Sequence, residues 1–429
     1  MMTLDTGESA HHVIIGGGLA AASAAQGMRD AGFTGRITIV AGEGEFPYIR
    51  PPLSKEYLLR GAPRESIFVH DAEWYAERDI RVMRGLPVIG VSIEAQSLTL
   101  QGGGVLSFDK LLFATGARSR LFPGPGADLA GVHYLRTVGD SERLYEALSP
   151  GGKNVVIVGS GWIGLEVASA ARSYGNNVTL LGREAVPLEN VLGSELGAVF
   201  ETLHRENGVV VRNSTVVAAI EGEQGVASGV RLDSGEVVPA DVVVVGIGAL
   251  PNAELAETAG ITVENGIVVD EGFRTSHPHV YAAGDVANVF HPVIARSLRV
   301  EHWATARDAG EAAGRSMAGR AIEYTKIPYF YTDQFDLGME YSGYGILAAN
   351  AELVIRGDFA ARKFLAFWLR ENRVVAGMNV NVWDVNETVQ ALIHDEVIVD
   401  AAELSDSNIE LDSFLHSRNG ESHANGDAP

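Results

Sequence analysis

The chain has 429 residues, of which 46% are hydrophobic and 21% charged, with a net charge of −22 and no cysteine; that length allows two or three domains with cores of their own. The acidic balance argues against nucleic acid as a partner, whose phosphates need a basic surface, and the missing thiols exclude disulfide, thiolate-zinc and cysteine-ligated iron–sulfur chemistry in this chain. No apolar run approaches the roughly 18 residues that span a bilayer, and Met1 to His11 shows no signal-peptide pattern, so a cytoplasmic protein with no membrane partner and no metal site is expected.

His12-Val13-Ile14-Ile15-Gly16-Gly17-Gly18-Leu19-Ala20-Ala21 reads as a strand over 12–16, a G-x-G-x-x-A turn and an alanine-rich helix over about 18–31. In such a dinucleotide-binding fingerprint the first glycine makes the turn and the second admits a pyrophosphate to the backbone. The third position stays small for helix–strand packing, and the helix N-terminus faces the anion. Gly16, Gly18, Leu19, Ala20 and Ala21 are therefore candidate cofactor residues. The next strand, Arg36 to Val40, should end near a carboxylate for ribose hydroxyls, about 20 residues beyond the glycines. Glu43 is the candidate and Glu45 the alternative. Pro47-Tyr48-Ile49-Arg50-Pro51-Pro52-Leu53-Ser54-Lys55 is a proline-stiffened turn whose lysine is expected to open a helix. A strand–turn–strand region over roughly 80–101 follows, then a strand, Leu111 to Ala117, that ends at a glycine turn.

A second fingerprint, Asn154-Val155-Val156-Ile157-Val158-Gly159-Ser160-Gly161-Trp162-Ile163-Gly164, is a full G-x-G-x-x-G after a β-branched strand. It adds Gly159, Gly161, Ile163 and Gly164, with a helix over 162–175 and a strand over 178–181. Beyond that strand lies Gly182-Arg183-Glu184, where Arg183 suits a ribose 2′-phosphate and Glu184 a 2′-hydroxyl. A helix over 193–207 and an alternating segment over 209–246 complete a βαβ-type domain. Strand character returns over 266–285, and a helix rich in alanine and glycine spans about 301–317. From Pro328 the pattern turns β-rich with a last helix, Asn386 to His394, suggesting a third, α+β domain. Residues 416–429 read as a disordered acidic tail.

Taken in order, Arg50-Pro51-Pro52-Leu53-Ser54-Lys55, Ala114-Thr115-Gly116, Tyr281-Ala282-Ala283-Gly284-Asp285 and Pro328-Tyr329-Phe330-Tyr331-Thr332-Asp333-Gln334 resemble the FAD-dependent ferredoxin reductases that feed bacterial oxygenases, the putidaredoxin-reductase type. Apoptosis-inducing factor shares that fold, and the resemblance runs from residue 12 to about 415. It implies an α/β fold of two Rossmann-like dinucleotide-binding domains, with the NAD(P)H domain (118–246) inserted in the FAD domain (1–117 and 247–325), then a C-terminal α+β domain over 326–415. The first fingerprint would bind FAD and the second NADH or NADPH. Asp285 would meet the ribityl chain, Val88 the adenine through its backbone, and Arg136 the FAD. Arg50, Thr115, Gly116 and Gly284 belong to the matched pieces, and Trp303 matches a position near the isoalloxazine. Lys55 and Glu166 match a pair beside the flavin ring and are the candidate catalytic residues. The chain departs at Gly42, where the family more often carries the ribose carboxylate that Glu43 replaces here.

The chemistry follows from charge. Hydride arriving at flavin N5 leaves a negative ring, which a cation such as Lys55 stabilises, while Glu166 holds the lysine. His302 has no acid–base role in such a transfer, and Tyr329, Phe330 and Tyr331 are split evenly between core and a cover for the flavin or the electron exit. NADH is the family default; Arg183 leans towards NADPH. The expected acceptor is a small acidic [2Fe–2S] ferredoxin, for a reductase that is a monomer or homodimer. Rival readings are a quinone or rubredoxin reductase on the same fold, and a non-enzymatic role like that of apoptosis-inducing factor.

Overall fold

The computed structural model describes residues 10–416, so all but the first residue of the expected acidic tail lies outside the described residues. Five parallel strands form the first sheet, in the order Val280–Ala282, Lys110–Phe113, His11–Ile15, Arg36–Val40 and Ile80–Met83. These are continuous apolar runs, as strands covered on both faces must be; Ile14, for instance, lies between Ile39 and Leu112. The helix Leu19–Asp30 follows the first strand and packs on Trp303–Met317 through glycines. A Cβ on Gly310 would stand 2.5 Å from the Ala20 carbonyl oxygen, and one on Gly314 2.1 Å from that of Ala24.

A second parallel sheet runs Val209–Arg212, Asn177–Leu181, Asn154–Val158, Val242–Val245 and Val132–His133. The chain enters it through Ala117–Ser119 and leaves through Ala249–Pro251, which pair as a short antiparallel ribbon. From Tyr329 an antiparallel sheet, Tyr329–Gln334, Leu337–Gly343, Arg373–Val380, Lys363–Arg370 and Glu352–Asp358, carries the helix Asn386–His394 on one face.

Three local features differ from the sequence reading or add to it. The strand–turn–strand region over 80–101 holds three strands: Ile80–Met83 completes the first parallel sheet, while Val88–Ser92 and Ser97–Leu100 pair across a turn and join Val105–Ser107 in a separate antiparallel meander. Gly85, at φ +67°, and Pro87 break the path between them. Lys55 does not open a helix. Two successive prolines fix the first turn of a 3₁₀ helix, Pro51–Ser54, and Lys55 ends it, its N–H bonded to the Pro52 carbonyl at 3.0 Å. The helix Val138–Leu148, unforeseen, begins at a capping box in which Thr137 and Asp140 satisfy each other's backbone N–H.

Candidate functional site

Both fingerprint turns end in a helix whose N-cap is a glycine, Gly18 or Gly161, and neither start has a side-chain cap. A Cβ built on Gly18 or Gly161 meets no atom within 4 Å, so open space stands beside both uncapped helix starts. Their partner glycines are closed in. A Cβ on Gly16, at φ +131°, would stand 2.0 Å from the Ala114 carbonyl oxygen, and one on Gly159, at φ +111°, 2.2 Å from that of Gly246. Uncapped helix N-termini with room before them are anion sites.

Between the two turns lies a cavity of about 750 Å³, towards the large end of small-molecule sites, roughly 300–1,000 Å³. Of the expected cofactor residues it brings together Gly16, Gly18, Leu19, Ala20, Glu43, Arg50, Lys55, Val88, Thr115, Gly116, Arg136, Gly161, Ile163, Gly284, Asp285 and Trp303, and it also takes in Glu166. It does not reach Ala21, Gly159, Gly164 or Arg183. Ala21 and Gly164 lie behind their turns, Ala21 wholly buried and Gly164 with its missing Cβ 2.1 Å from the Gly159 oxygen. Arg183 is exposed beyond the end of Asn177–Leu181.

The polar lining is organised around Arg50 and Arg136. Arg50 pairs with Glu43 at 3.0 Å and donates to the Arg136 carbonyl, and the Tyr48 hydroxyl donates to the other Glu43 oxygen at 2.5 Å. Arg136 is held by the Ala117 carbonyl at 2.8 Å and forms an ion pair with Asp285. Thr115 is clamped to Asn252 by two bonds, 2.6 and 2.8 Å, beside the crossover ribbon. Glu43 is thus at the cavity with both oxygens engaged, and Tyr48 is a partner that no sequence signal marked.

Lys55 and Glu166 do meet. Nζ lies 2.8 Å from Oε1, with the lysine 9% and the glutamate 4% exposed. Two further donors close on the same carboxylate: the Ser54 hydroxyl reaches Oε2 at 2.5 Å and the Thr332 hydroxyl reaches Oε1 at 2.6 Å. Ser54 and Lys55 come from the 3₁₀ turn, Glu166 from the second fingerprint helix, and Thr332 from the first strand of the C-terminal sheet. A buried charge persists only with such partners. The Tyr331 ring lies 5.5 Å from Nζ, its hydroxyl pushed up to about 12, first by burial and then by Glu56. Phe330 and Tyr331 line the cavity, whereas Tyr329 does not and bonds Glu340 at 2.7 Å.

His302 also lines the cavity, its pKa pushed down to about 4 by burial against a smaller opposing pull from Asp285. Its Nδ1 and the Trp303 Nε1 are buried polar atoms with no partner among the described residues, a deficit that a bound group with its own donors and acceptors would make good.

Residues 10–310 match the family model described as pyridine nucleotide-disulphide oxidoreductase, and residues 329–415 match one described as reductase C-terminal. The chain belongs to the pyridine nucleotide-disulphide oxidoreductases. Among members of the family it is 38% identical to rhodocoxin reductase of Rhodococcus erythropolis over 400 residues, 93% of each chain. It is likewise 38% identical to the ferredoxin–NAD(+) reductase component of the anthranilate 1,2-dioxygenase system of Burkholderia cepacia, over 94% of this chain and 98% of that one. The reductase in the crystal structure of the covalent putidaredoxin reductase–putidaredoxin complex matches with a TM-score of 0.92 and 32% identity, covering 97% of this chain and 100% of that one. This member of the family is an oxidoreductase that has no cysteine with which to use the disulphide chemistry of the family's name.

Proposed function

We propose that this reductase takes electrons from NADH and delivers them, through a bound FAD, to a small acidic [2Fe–2S] ferredoxin that serves an oxygenase. The observation that carries this reading is the single cavity joining two bare helix N-termini, with the buried Lys55–Glu166 pair on its wall. The names of the relatives agree with it. The FAD domain would comprise residues 1–117 and 247–325, the NAD(P)H domain 118–246 and the C-terminal domain 326–415.

Gly16, Gly18, Leu19 and Ala20 would receive the FAD pyrophosphate, Glu43 the ribose and Val88 the adenine, with Arg50, Thr115, Gly116, Arg136, Gly284, Asp285 and Trp303 along the rest of the cofactor. Gly161 and Ile163 would face the nicotinamide dinucleotide, with Gly159 and Gly164 shaping that turn. Bound there, FAD supplies the junction between a two-electron nicotinamide and a one-electron iron–sulfur centre. Lys55 presents a fixed cation in a site shielded from water, where a charge acts most strongly. Glu166 holds its ammonium, and Ser54 and Thr332 in turn hold the Glu166 carboxylate. Neutral His302 moves no proton near pH 7, since its pKa lies at about 4.

The test is anaerobic titration of the yellow protein with NADH and NADPH, followed by stopped-flow reduction of [2Fe–2S] ferredoxins. Bleaching of the flavin followed by ferredoxin reduction is expected. A colourless protein after gentle purification would overturn the flavin reading. A yellow protein that bleaches with NADH but reduces only quinones would replace the ferredoxin with a quinone.

A further inference from the structure

The contacts of Glu166 do not end at Thr332. The Gln334 amide Nε2 donates to the Thr332 hydroxyl oxygen at 3.2 Å, and the Gln334 Oε1 lies 2.9 Å from Nε2 of His204. His204, on the helix Ser194–Glu206, is fully buried, Gln334 and Thr332 are each 1% exposed, and neither His204 nor Gln334 lines the cavity. The direction of every bond is fixed by chemistry. Thr332 has one hydroxyl proton and gives it to a carboxylate, so it must accept from the amide. The amide oxygen can only accept, so His204 carries its proton on Nε2, leaving Nδ1 bare, and Nδ1 is indeed buried without a partner among the described residues. Three donors in series, imidazole N–H, amide N–H and hydroxyl O–H, all point at Glu166.

We propose that Gln334 and His204, which touch neither the cavity nor Lys55, are positioning residues for the Lys55–Glu166 pair. A one-way chain of donors strengthens the last of them, and the last, Thr332, takes up charge on the Glu166 oxygen that Lys55 also contacts. The field that Lys55 projects into the cavity is its own charge less that of the carboxylate behind it. When the chain of donors is broken, the carboxylate is less compensated and the net field on a bound flavin is less positive, so uptake of electrons is less favourable. The geometry also locks the C-terminal sheet to the second fingerprint unit. The Phe335 N–H bonds the Ser169 hydroxyl at 3.0 Å, and the His204 ring stands edge-on to Phe335 at 5.1 Å. Burial keeps His204 neutral, its pKa at about 4, so the chain persists across ordinary pH.

This inference rests on the proposed flavin reading, and the experiment separates the two. Redox potentiometry of the purified flavoprotein is done on wild type, T332V, Q334M, the T332V/Q334M double variant, H204L and H204Q. Wild-type protein without flavin removes the reading itself. With flavin bound, T332V and Q334M should each lower the equilibrium constant for two-electron reduction about tenfold, a shift of about 30 mV. The double variant should be no worse than T332V alone, because both act through one hydroxyl. H204L should lower the potential, and H204Q, which keeps a donor near the same place, should restore it. A purely packing role would lower melting temperature in Q334M and H204L alike and leave the potentials at the wild-type value; that result, or additive shifts in the double variant, overturns the proposal. Should Q334M not fold, the H204L and H204Q pair decides, and equal potentials in those two overturn it.

Discussion

Lys55 and Glu166 form a buried pair whose members are worth more to each other than to the fold. Removing the lysine leaves a carboxylate in the interior with only hydroxyl donors, and breaking such a pair from one side costs about 3–5 kcal/mol. Lys55→Met should therefore lower stability by an amount of that order in chemical denaturation. It should also slow flavin reduction by NADH by roughly 10²–10³, the scale for losing one preorganised charge-stabilising group; full-rate reduction in stopped flow would show that the cation has no electrostatic role. Arg183 stands at the other extreme, exposed and outside the cavity. Arg183→Ala is expected to weaken NADPH much more than NADH in steady-state kinetics, and equal loss for both would remove it from cofactor choice. The meeting of Lys55 with Glu166 was anticipated through a matched motif, whereas Arg183 was singled out only by its place after a strand and stands outside the cavity. Ser54, Thr332 and Gln334 were not singled out, because they reach the same site from 112 and 166 residues away from Glu166 or from farther down the relay. A hydroxyl carries no local pattern that announces a distant carboxylate.

At the scale of elements the fingerprints were legible because strand, turn and helix are dictated within about a dozen residues of one another. The same locality makes their glycines separable by experiment. Gly18 has φ −102° and open space where a Cβ would go, so Gly18→Val can fold while filling the place proposed for the pyrophosphate. Gly16 has φ +131° and an oxygen 2.0 Å from that position, so Gly16→Ala strains the turn itself. We expect Gly18→Val to give a soluble, cooperatively melting apoprotein without flavin absorbance, and Gly16→Ala to lose both flavin and stability. Normal flavin content in Gly18→Val would move the pyrophosphate elsewhere. Expectations failed where tertiary demands outweighed local ones. The 3₁₀ turn stops at Lys55 and its side chain reaches the buried Glu166, and Ile80–Met83 joins a sheet whose other strands are remote in sequence. The Thr137–Asp140 capping box was readable but short of the long apolar period that marks a helix on its own.

For the molecule as a whole, the two five-stranded parallel sheets and the five-stranded antiparallel sheet bury histidines in the packing around and between them, and those histidines make the protein sensitive to acid. His12 lies in the central strand of the first sheet and His204 joins the second unit to the C-terminal sheet; both are buried and both have a pKa of about 4 against an ordinary 6.5. Burial is the main cause for each, reinforced at His12 by Lys110 and opposed at His204 by Gln334. The unfolded chain takes up these protons below about pH 6.5, whereas the folded chain refuses them until about pH 4. The stability each neutral ring confers is therefore fully present above pH 6.5 and is lost as pH falls from there towards 4, at up to about 1.4 kcal/mol per pH unit for each histidine. A chain of several units need not open in one step, so amide exchange along Ser194–Glu206 is the more direct readout. Protection there should fall steeply between pH 6.5 and 4 in the wild type. In H204Q, where no proton can be taken up, the acid slope in that helix should flatten by about one proton while the slope in His11–Ile15 is kept. An unchanged slope in the helix would mean that His204 is not the group that acid attacks, and that the junction opens for another reason.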